Sequence, residues 1–158
     1  MLSLGANVII ASRKLDVLET TASELRQEVH LSGNVCEVFK CNIREEAEVK
    51  RLFEFANEKF GKVDFLVNNS GGQFPSPAQN ISANGWRTVV DLNLNGTFLC
   101  CKEAFNSGMD SKGGSIVNIV CEMNSGFPGV SDKINDVILA AELTTPQRWL
   151  TQVPLAPQ

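Results

Sequence analysis

Val63-Asp64-Phe65-Leu66-Val67-Asn68-Asn69-Ser70-Gly71-Gly72 joins a short apolar run to two asparagines and two glycines. The run has the β-branched and aromatic content of a strand, and its end has the residues of a tight loop. In open parallel sheets, ligands bind at the carboxyl ends of strands, where such loops sit. Glycine lets the backbone come close to a ligand. Asparagine side chains bond that backbone and hold its shape.

The same alternation extends to both sides. Residues 7–12 read as a compact apolar strand followed at once by Arg13 and Lys14. Leu15, Leu18, Ala22 and Leu25 then recur at helical spacing. Residues 34–43 read as a second strand, and 44–60 as a second helix with Val49, Leu52, Phe53 and Ala56 on one face and Gly61 at its end. Beyond a loop over 74–82, marked by Pro75 and Pro77, residues 86–109 read as a long helix with Val89, Val90, Leu92, Leu94, Phe98 and Leu99 inside. Residues 115–121 form a fourth strand, and 134–143 a further helix. Met1 to Gly5 reads as the last turn of a helix capped by Gly5. Short apolar strands alternating with helices imply an α/β fold, a parallel sheet with helices on both faces.

The 158 residues make one domain by length. Its organised part is expected over 1–130, and 131–158 is expected to be a divergent, poorly ordered tail with three prolines. A net charge of −4 argues against nucleic acid or an anionic membrane as partner. No apolar run reaches the ~20 residues of a membrane helix. Met1-Leu2-Ser3-Leu4 lacks the basic region and apolar core of a signal peptide. Cys36, Cys41, Cys100, Cys101 and Cys121 have no zinc-ligand spacing, so no metal site is expected. They read as buried free thiols of a reducing compartment.

Three further stretches carry chemistry. Ser12-Arg13-Lys14 ends the first strand. At this place in a dinucleotide fold an acid binds the ribose hydroxyls, whereas an arginine accommodates the 2′-phosphate of NADP. Two adjacent cations and no acid point to phosphate, since guanidinium donates bidentate bonds. A solvated start of a helix is the plainer alternative. Asn42-Ile43 ends the second strand, where it would flank an adenine or simply cap the next helix. Asn93, in Asp91-Leu92-Asn93-Leu94-Asn95-Gly96, is a poor helix-interior residue. It is placed to hold a water or a backbone carbonyl in a site, or to bond the preceding turn.

Together these residues resemble the short-chain dehydrogenase/reductase family. The carrying motifs are Ser12-Arg13-Lys14, Asn42-Ile43, Asn68-Asn69-Ser70-Gly71, Asn93-Leu94-Asn95-Gly96 and Gly114-Ser115-Ile116-Val117-Asn118-Ile119, spread over roughly residues 1–130. Residues 7–15, Cys41-Asn42-Ile43-Arg44, Phe65-Leu66-Val67-Asn68-Asn69, Gly72-Gln73-Phe74 and Ser125-Gly126-Phe127-Pro128 resemble the peroxisomal trans-2-enoyl-CoA reductases more closely. The resemblance implies NADPH-dependent reduction of the 2,3 double bond of an acyl-CoA substrate. It implies cofactor contacts at Ser12, Arg13, Lys14, Asn42, Ile43, Asn69, Ser70 and Gly71, and a catalytic proton-relay role for Asn93. It also implies oligomer contacts, between like or unlike subunits, through helix 86–109. A peroxisomal location follows from the family, while Ala156-Pro157-Gln158 is not a Ser-Lys-Leu-type ending and leaves the cytosol open.

The chain departs from that pattern. It has no Thr-Gly-x-x-x-Gly-x-Gly loop, and with no tyrosine it cannot supply the family's Tyr-x-x-x-Lys pair. Cys121 stands near the usual catalytic serine, and Lys133 is the only lysine beyond Lys112. The expected fold is therefore an incomplete Rossmann-like doubly wound sheet, lacking its first strand and its C-terminal strands. In the order 3-2-1-4-5 that absence leaves two strand pairs with unpaired inner edges. The readings that follow are a catalytically incomplete fragment of an enoyl-CoA reductase, a non-catalytic subunit pairing with a complete reductase, and a short-chain carbonyl or alcohol dehydrogenase.

Overall fold

The computed structural model describes residues 1–29, 33–72, 76 and 78–120. Four strands, β1 (Val8–Ser12), β2 (Cys36–Lys40), β3 (Phe65–Asn68) and β4 (Ser115–Asn118), alternate with helices. They form two separate parallel pairs, β1 with β2 and β3 with β4. Val8 stands opposite Cys36 and Phe65 opposite Ser115 at the start of each ladder. This is the partial doubly wound sheet that the sequence implies.

Helix α1 (Leu15–Glu28) covers one face of the first pair. Leu18 and Ala22 are buried there, and Ala22 and Cys36 pack with Leu2, Val8, Ile10, Leu25 and Val38. Leu2 comes from a 3₁₀ turn, Leu2–Leu4, ended by Gly5 in the left-handed region at φ 88°. The turn is fixed by buried Asn34, whose Nδ2 donates to the carbonyls of Leu2 (2.8 Å) and Ala6 (3.1 Å).

Helix α2 (Glu46–Phe60) lies on the opposite face. Val49, Phe53 and Ala56 are buried as their spacing predicts. Val49 and Phe53 share a core with Cys41, Cys100, Ala104 and Met109. Phe39 from the first pair and Leu66 and Ile116 from the second both pack on it. One helical layer thus carries two pairs of strands.

The long helix differs from its sequence reading in three respects. It starts earlier, at α3 (Ala83–Val90), because the Ser82 hydroxyl accepts the Gly85 amide at 3.0 Å and caps the N-terminus. It is not uniformly α: a π turn at Asp91–Asn95 precedes α4 (Gly96–Ala104), the stretch Phe105–Met109 is kinked at Gly108 (φ 128°), and α5 (Asp110–Lys112) follows. Phe98 is not inside. It is 62% exposed, because the buried face of α4 is Thr97, Cys100 and Ala104, about 100° away. The expected helix at 134–143, the tail, Cys121 and Lys133 lie outside the described residues.

Gly114 allows β4 to start where it does. A Cβ there would meet the Asp64 carbonyl oxygen at 3.0 Å and the buried Met109 Cγ at 2.7 Å. Neither neighbour can retreat, since the same Asp64 oxygen accepts the Ser115 amide at 2.9 Å. Gly114→Ala is expected to cost about 1–3 kcal/mol of stability, read as a lower urea midpoint with an unchanged slope. A midpoint equal to the wild type's would show that the β3–β4 junction is not closely packed.

Candidate cofactor-binding site

The predicted residues gather at the carboxyl ends of β1, β2 and β3. The Cys41 amide donates to the Ser12 carbonyl at 2.9 Å, so the first two strands end together. From there Arg13 and Lys14 lead into α1, and both are exposed. Lys40 at the end of β2 is exposed as well. The ion pairs among the described residues join other groups, Lys50–Glu54, Lys59–Glu37, Lys62–Asp64 and Lys102–Glu46. Arg13, Lys14 and Lys40 thus form a cationic corner without a carboxylate partner among the described residues.

Asn42 does not cap α2, whose first flanking residue is Glu45. Its Oδ1 instead accepts from Arg44 N (3.4 Å) and Arg44 Nε (3.2 Å), an Asx-type turn. Its amide donates to the Glu48 carboxylate at 2.8 Å. Glu48 also sits in the first turn of α2, where the helix dipole favours an acid. The loop is thereby fixed, and Asn42 Nδ2 is left as a donor. Ile43 points inward, onto the core and against α4: a Cβ on Gly96 would lie 2.7 Å from its Cδ1.

Asn93 clamps the third loop. Its Oδ1 accepts the Gly72 amide at 3.0 Å and its Nδ2 donates to the Gly72 carbonyl at 3.1 Å. Both ends of the side-chain amide are used, so it acts on backbone, one of the roles its sequence position allows. The π turn presents it there: the Gly96 amide bonds the Asp91 carbonyl five residues back. The Asn93 carbonyl accepts the Thr97 hydroxyl at 2.8 Å. A Cβ on Gly72 would stand 3.2 Å from Leu92 Cδ2, so the loop lies close on the helix. Asn69, Ser70 and Gly71 remain exposed above it.

The sequence reading has Asn68 bonding the loop backbone and gives Asn118 no role; the structure instead pairs the two across the sheet. Asn68 Nδ2 donates to Asn118 Oδ1 at 2.8 Å across the β3–β4 ladder and lies 3.3 Å from Cys101 Sγ. An asparagine at the end of each strand was the available signal, but only the register shows that they face each other. The first asparagine of the motif is therefore used by the sheet, and the second is exposed. Burial raises the Cys101 thiol against the opposing Asn68 bond, and it pushes Cys41 up to about 11 and Cys100 to about 12. The protonated form of each is thereby favoured, and Cys41 and Cys100 pack in the core.

The short chain dehydrogenase family profile matches residues 1–131. An uncharacterized oxidoreductase of Caenorhabditis elegans is 36% identical over 130 residues, which are 80% of this chain and 41% of that protein. A peroxisomal 2,4-dienoyl-CoA reductase of Arabidopsis thaliana is 37% identical over 127 residues, 73% of this chain and 40% of the relative. The chain therefore spans well under half of these relatives. Among solved structures, a citronellol catabolism dehydrogenase of Pseudomonas aeruginosa PAO1 superposes with a TM-score of 0.75 at 38% identity, over 90% of this chain and 55% of its own. An actinorhodin polyketide ketoreductase solved with NADPH gives 0.72 at 28% identity, over 87% and 51%.

Asn93→Ala removes both bonds to Gly72, each worth about 0.5–1.5 kcal/mol. The Gly72 amide is expected to exchange with solvent roughly tenfold faster or more, while Asn93→Asp, which keeps the acceptor, loses less. The thiols set an alkaline limit. Their protonated form is favoured in the fold, so this stability is present below the unfolded value of 9.0 and is lost as pH rises towards about 11 and 12. The unfolding free energy, measured by urea titration, is expected to fall above pH 9 by up to about 1.4 kcal/mol per pH unit for each thiol. The Cys100→Ala variant should show a flatter decline.

Proposed function

Because this chain belongs to the short chain dehydrogenase family, we propose that it grips the adenosine 2′-phosphate end of NADPH in the reduction of a double bond in an acyl-CoA. The observation that carries this reading is the exposed Arg13–Lys14 pair at the end of β1, with no carboxylate to neutralise it among the described residues. A 2′-phosphate at that corner would meet the Arg13 fork and the charges of Lys14 and Lys40. Ser12 ends the same strand, and Asn42 Nδ2 is oriented by its own Asx turn to donate to an adenine edge. Ile43 backs that place from the core side. Asn69, Ser70 and Gly71 would border the adenosine ribose, on a loop that Asn93 holds flat. Bound NADPH supplies the hydride. The chain's own residues supply grip and orientation.

The acyl-CoA substrate class is supported by relatives named 2,4-dienoyl-CoA reductases. A trans-2-enoyl-CoA is the specific substrate proposed here, with a carbonyl or alcohol substrate as the alternative. A peroxisomal setting is supported by the same relatives, several of which carry that location in their names. No tyrosine is available for the Tyr-x-x-x-Lys pair, so the role proposed for this chain by itself is binding rather than turnover.

A second reading, a non-catalytic subunit pairing with a complete reductase, is favoured by the long helix. Phe98 and Phe105 lie exposed two turns apart, with Trp86 also partly exposed.

A thermal melt tests the first reading. At a hundredfold excess over Kd, NADPH is expected to stabilise the chain by about 2.7 kcal/mol, and NADH far less. Arg13→Ala is expected to erase the difference between the two cofactors, and the chain alone to oxidise no NADPH on addition of trans-2-enoyl-CoA. Equal shifts with NADH and NADPH, or none with either, would overturn the assignment of Arg13.

A further inference from the structure

The sequence holds two Asn-Gly pairs, Asn84-Gly85 and Asn95-Gly96. The two residues of such a pair can react with each other. The glycine's backbone nitrogen attacks the side-chain carbonyl carbon of the asparagine. A new carbon–nitrogen bond closes a five-membered imide, the bond to the side-chain nitrogen breaks, and ammonia leaves with the proton that the backbone nitrogen gave up. Water then opens the imide at either carbonyl, giving aspartate or isoaspartate. Glycine favours the attack because no Cβ crowds its nitrogen. The asparagine side chain must be free to turn, and the glycine amide must be free of a helix ladder.

The two pairs meet these needs differently. Asn95 Nδ2 donates to Asp91 Oδ1 at 2.8 Å, which turns the side chain back along its own helix. The Gly96 amide donates to the Asp91 carbonyl in the π turn, and Gly96 is buried. Ile43 presses on it, since a Cβ there would lie 2.7 Å from Ile43 Cδ1. Attack at Asn95 would require breaking the π turn and parting α4 from the loop after β2.

Asn84 is the second residue of α3, and it is exposed. Its main-chain carbonyl accepts the Thr88 hydroxyl at 2.9 Å, whereas its side-chain amide has no partner among the described residues. Gly85 follows in the first turn, where an amide has no helical carbonyl four residues back. Its amide is held instead by the hydroxyl of Ser82, at 3.0 Å, and Ser82 is itself exposed. The bond that caps the helix is therefore the bond that restrains the attacking nitrogen. Asn69, also exposed, is followed by Ser70, whose Cβ crowds the corresponding nitrogen.

We propose that Asn84 is a modification site, the first position at which this chain deamidates, and that the Ser82 cap is the gate that slows the reaction. The two products act on α3 in opposite senses. Aspartate places a carboxylate in a first turn that has none, where the helix dipole favours it. Isoaspartate adds a methylene to the main chain and disrupts that turn. The inference does not depend on the cofactor reading.

The whole chain, incubated at mildly alkaline pH, provides the test. Tandem mass spectrometry after trypsin follows residues 63–87, which carry Asn69 and Asn84, and residues 88–102, which carry Asn95. A parallel incubation in urea, where neither pair is held, reports the unrestrained reactions. In the folded chain Asn84 is expected to convert at least about tenfold faster than Asn95, and in urea the two rates are expected to agree within about twofold. Ser82→Ala is expected to raise the Asn84 rate about fivefold, because attack needs the first turn open and the cap holds it closed. Gly85→Ala, which puts a Cβ beside the nitrogen, is expected to abolish the product at Asn84 over the same time. Conversion led by Asn95 or Asn69 would overturn the assignment. So would an Asn84 that stays intact in the folded chain while the urea sample converts. A Ser82→Ala rate equal to that of the wild type would overturn the gate.

Discussion

Val49 and Phe53 on one helix and Cys100 and Ala104 on another hold together two strand pairs that share no hydrogen bond. In a complete parallel sheet the backbone ladder is continuous and side-chain packing adds to it. Among the described residues no backbone ladder joins the halves, and this packing connects them, helped by Lys102–Glu46 and by the Asn57 bond to the Ser107 carbonyl. Close contacts consequently matter more than usual, because dispersion falls off within a fraction of an ångström. The tight fit of Gly114 on Asp64 and Met109, and of Gly96 on Ile43, belongs to this constraint.

The candidate site is built on the same division. Arg13, Lys14 and Asn42 stand on the first pair and its loops, whereas Asn69, Ser70 and Gly71 stand on the second. Neither group reaches the other by a hydrogen bond among the described residues. Each loop is nevertheless held locally, one by Glu48 and Arg44 around Asn42, the other by Asn93 around Gly72. Local order of this kind lets a site retain its chemistry where the sheet beneath it is partial.

Much of the fold was legible in the residues. Helical spacing located the buried faces of α1 and α2, because Leu18, Ala22, Val49, Phe53 and Ala56 repeat at the period of the helix. The alternation of strand and helix gave parallel pairing, and the strand order gave the open edges. Phe98 was misplaced because an apolar helix with residues on all sides has no readable inner face. The π turn at Asp91–Asn95 was equally hidden: an inserted residue changes the direction of a side chain without changing composition. At the site, the position of Asn93 was visible and its partner was not, since the bond to Gly72 spans 21 residues and is a matter of tertiary placement.

Ile43 against Gly96 has a mechanical meaning. The two sides of the candidate site, Arg13 with Asn42 and the loop of Asn69, belong to different hydrogen-bonded pairs, and this contact joins the loop of one to the helix that supports the other. The two sides therefore lean on each other through a branched side chain packed on a bare backbone, with no room between them for even one added methyl.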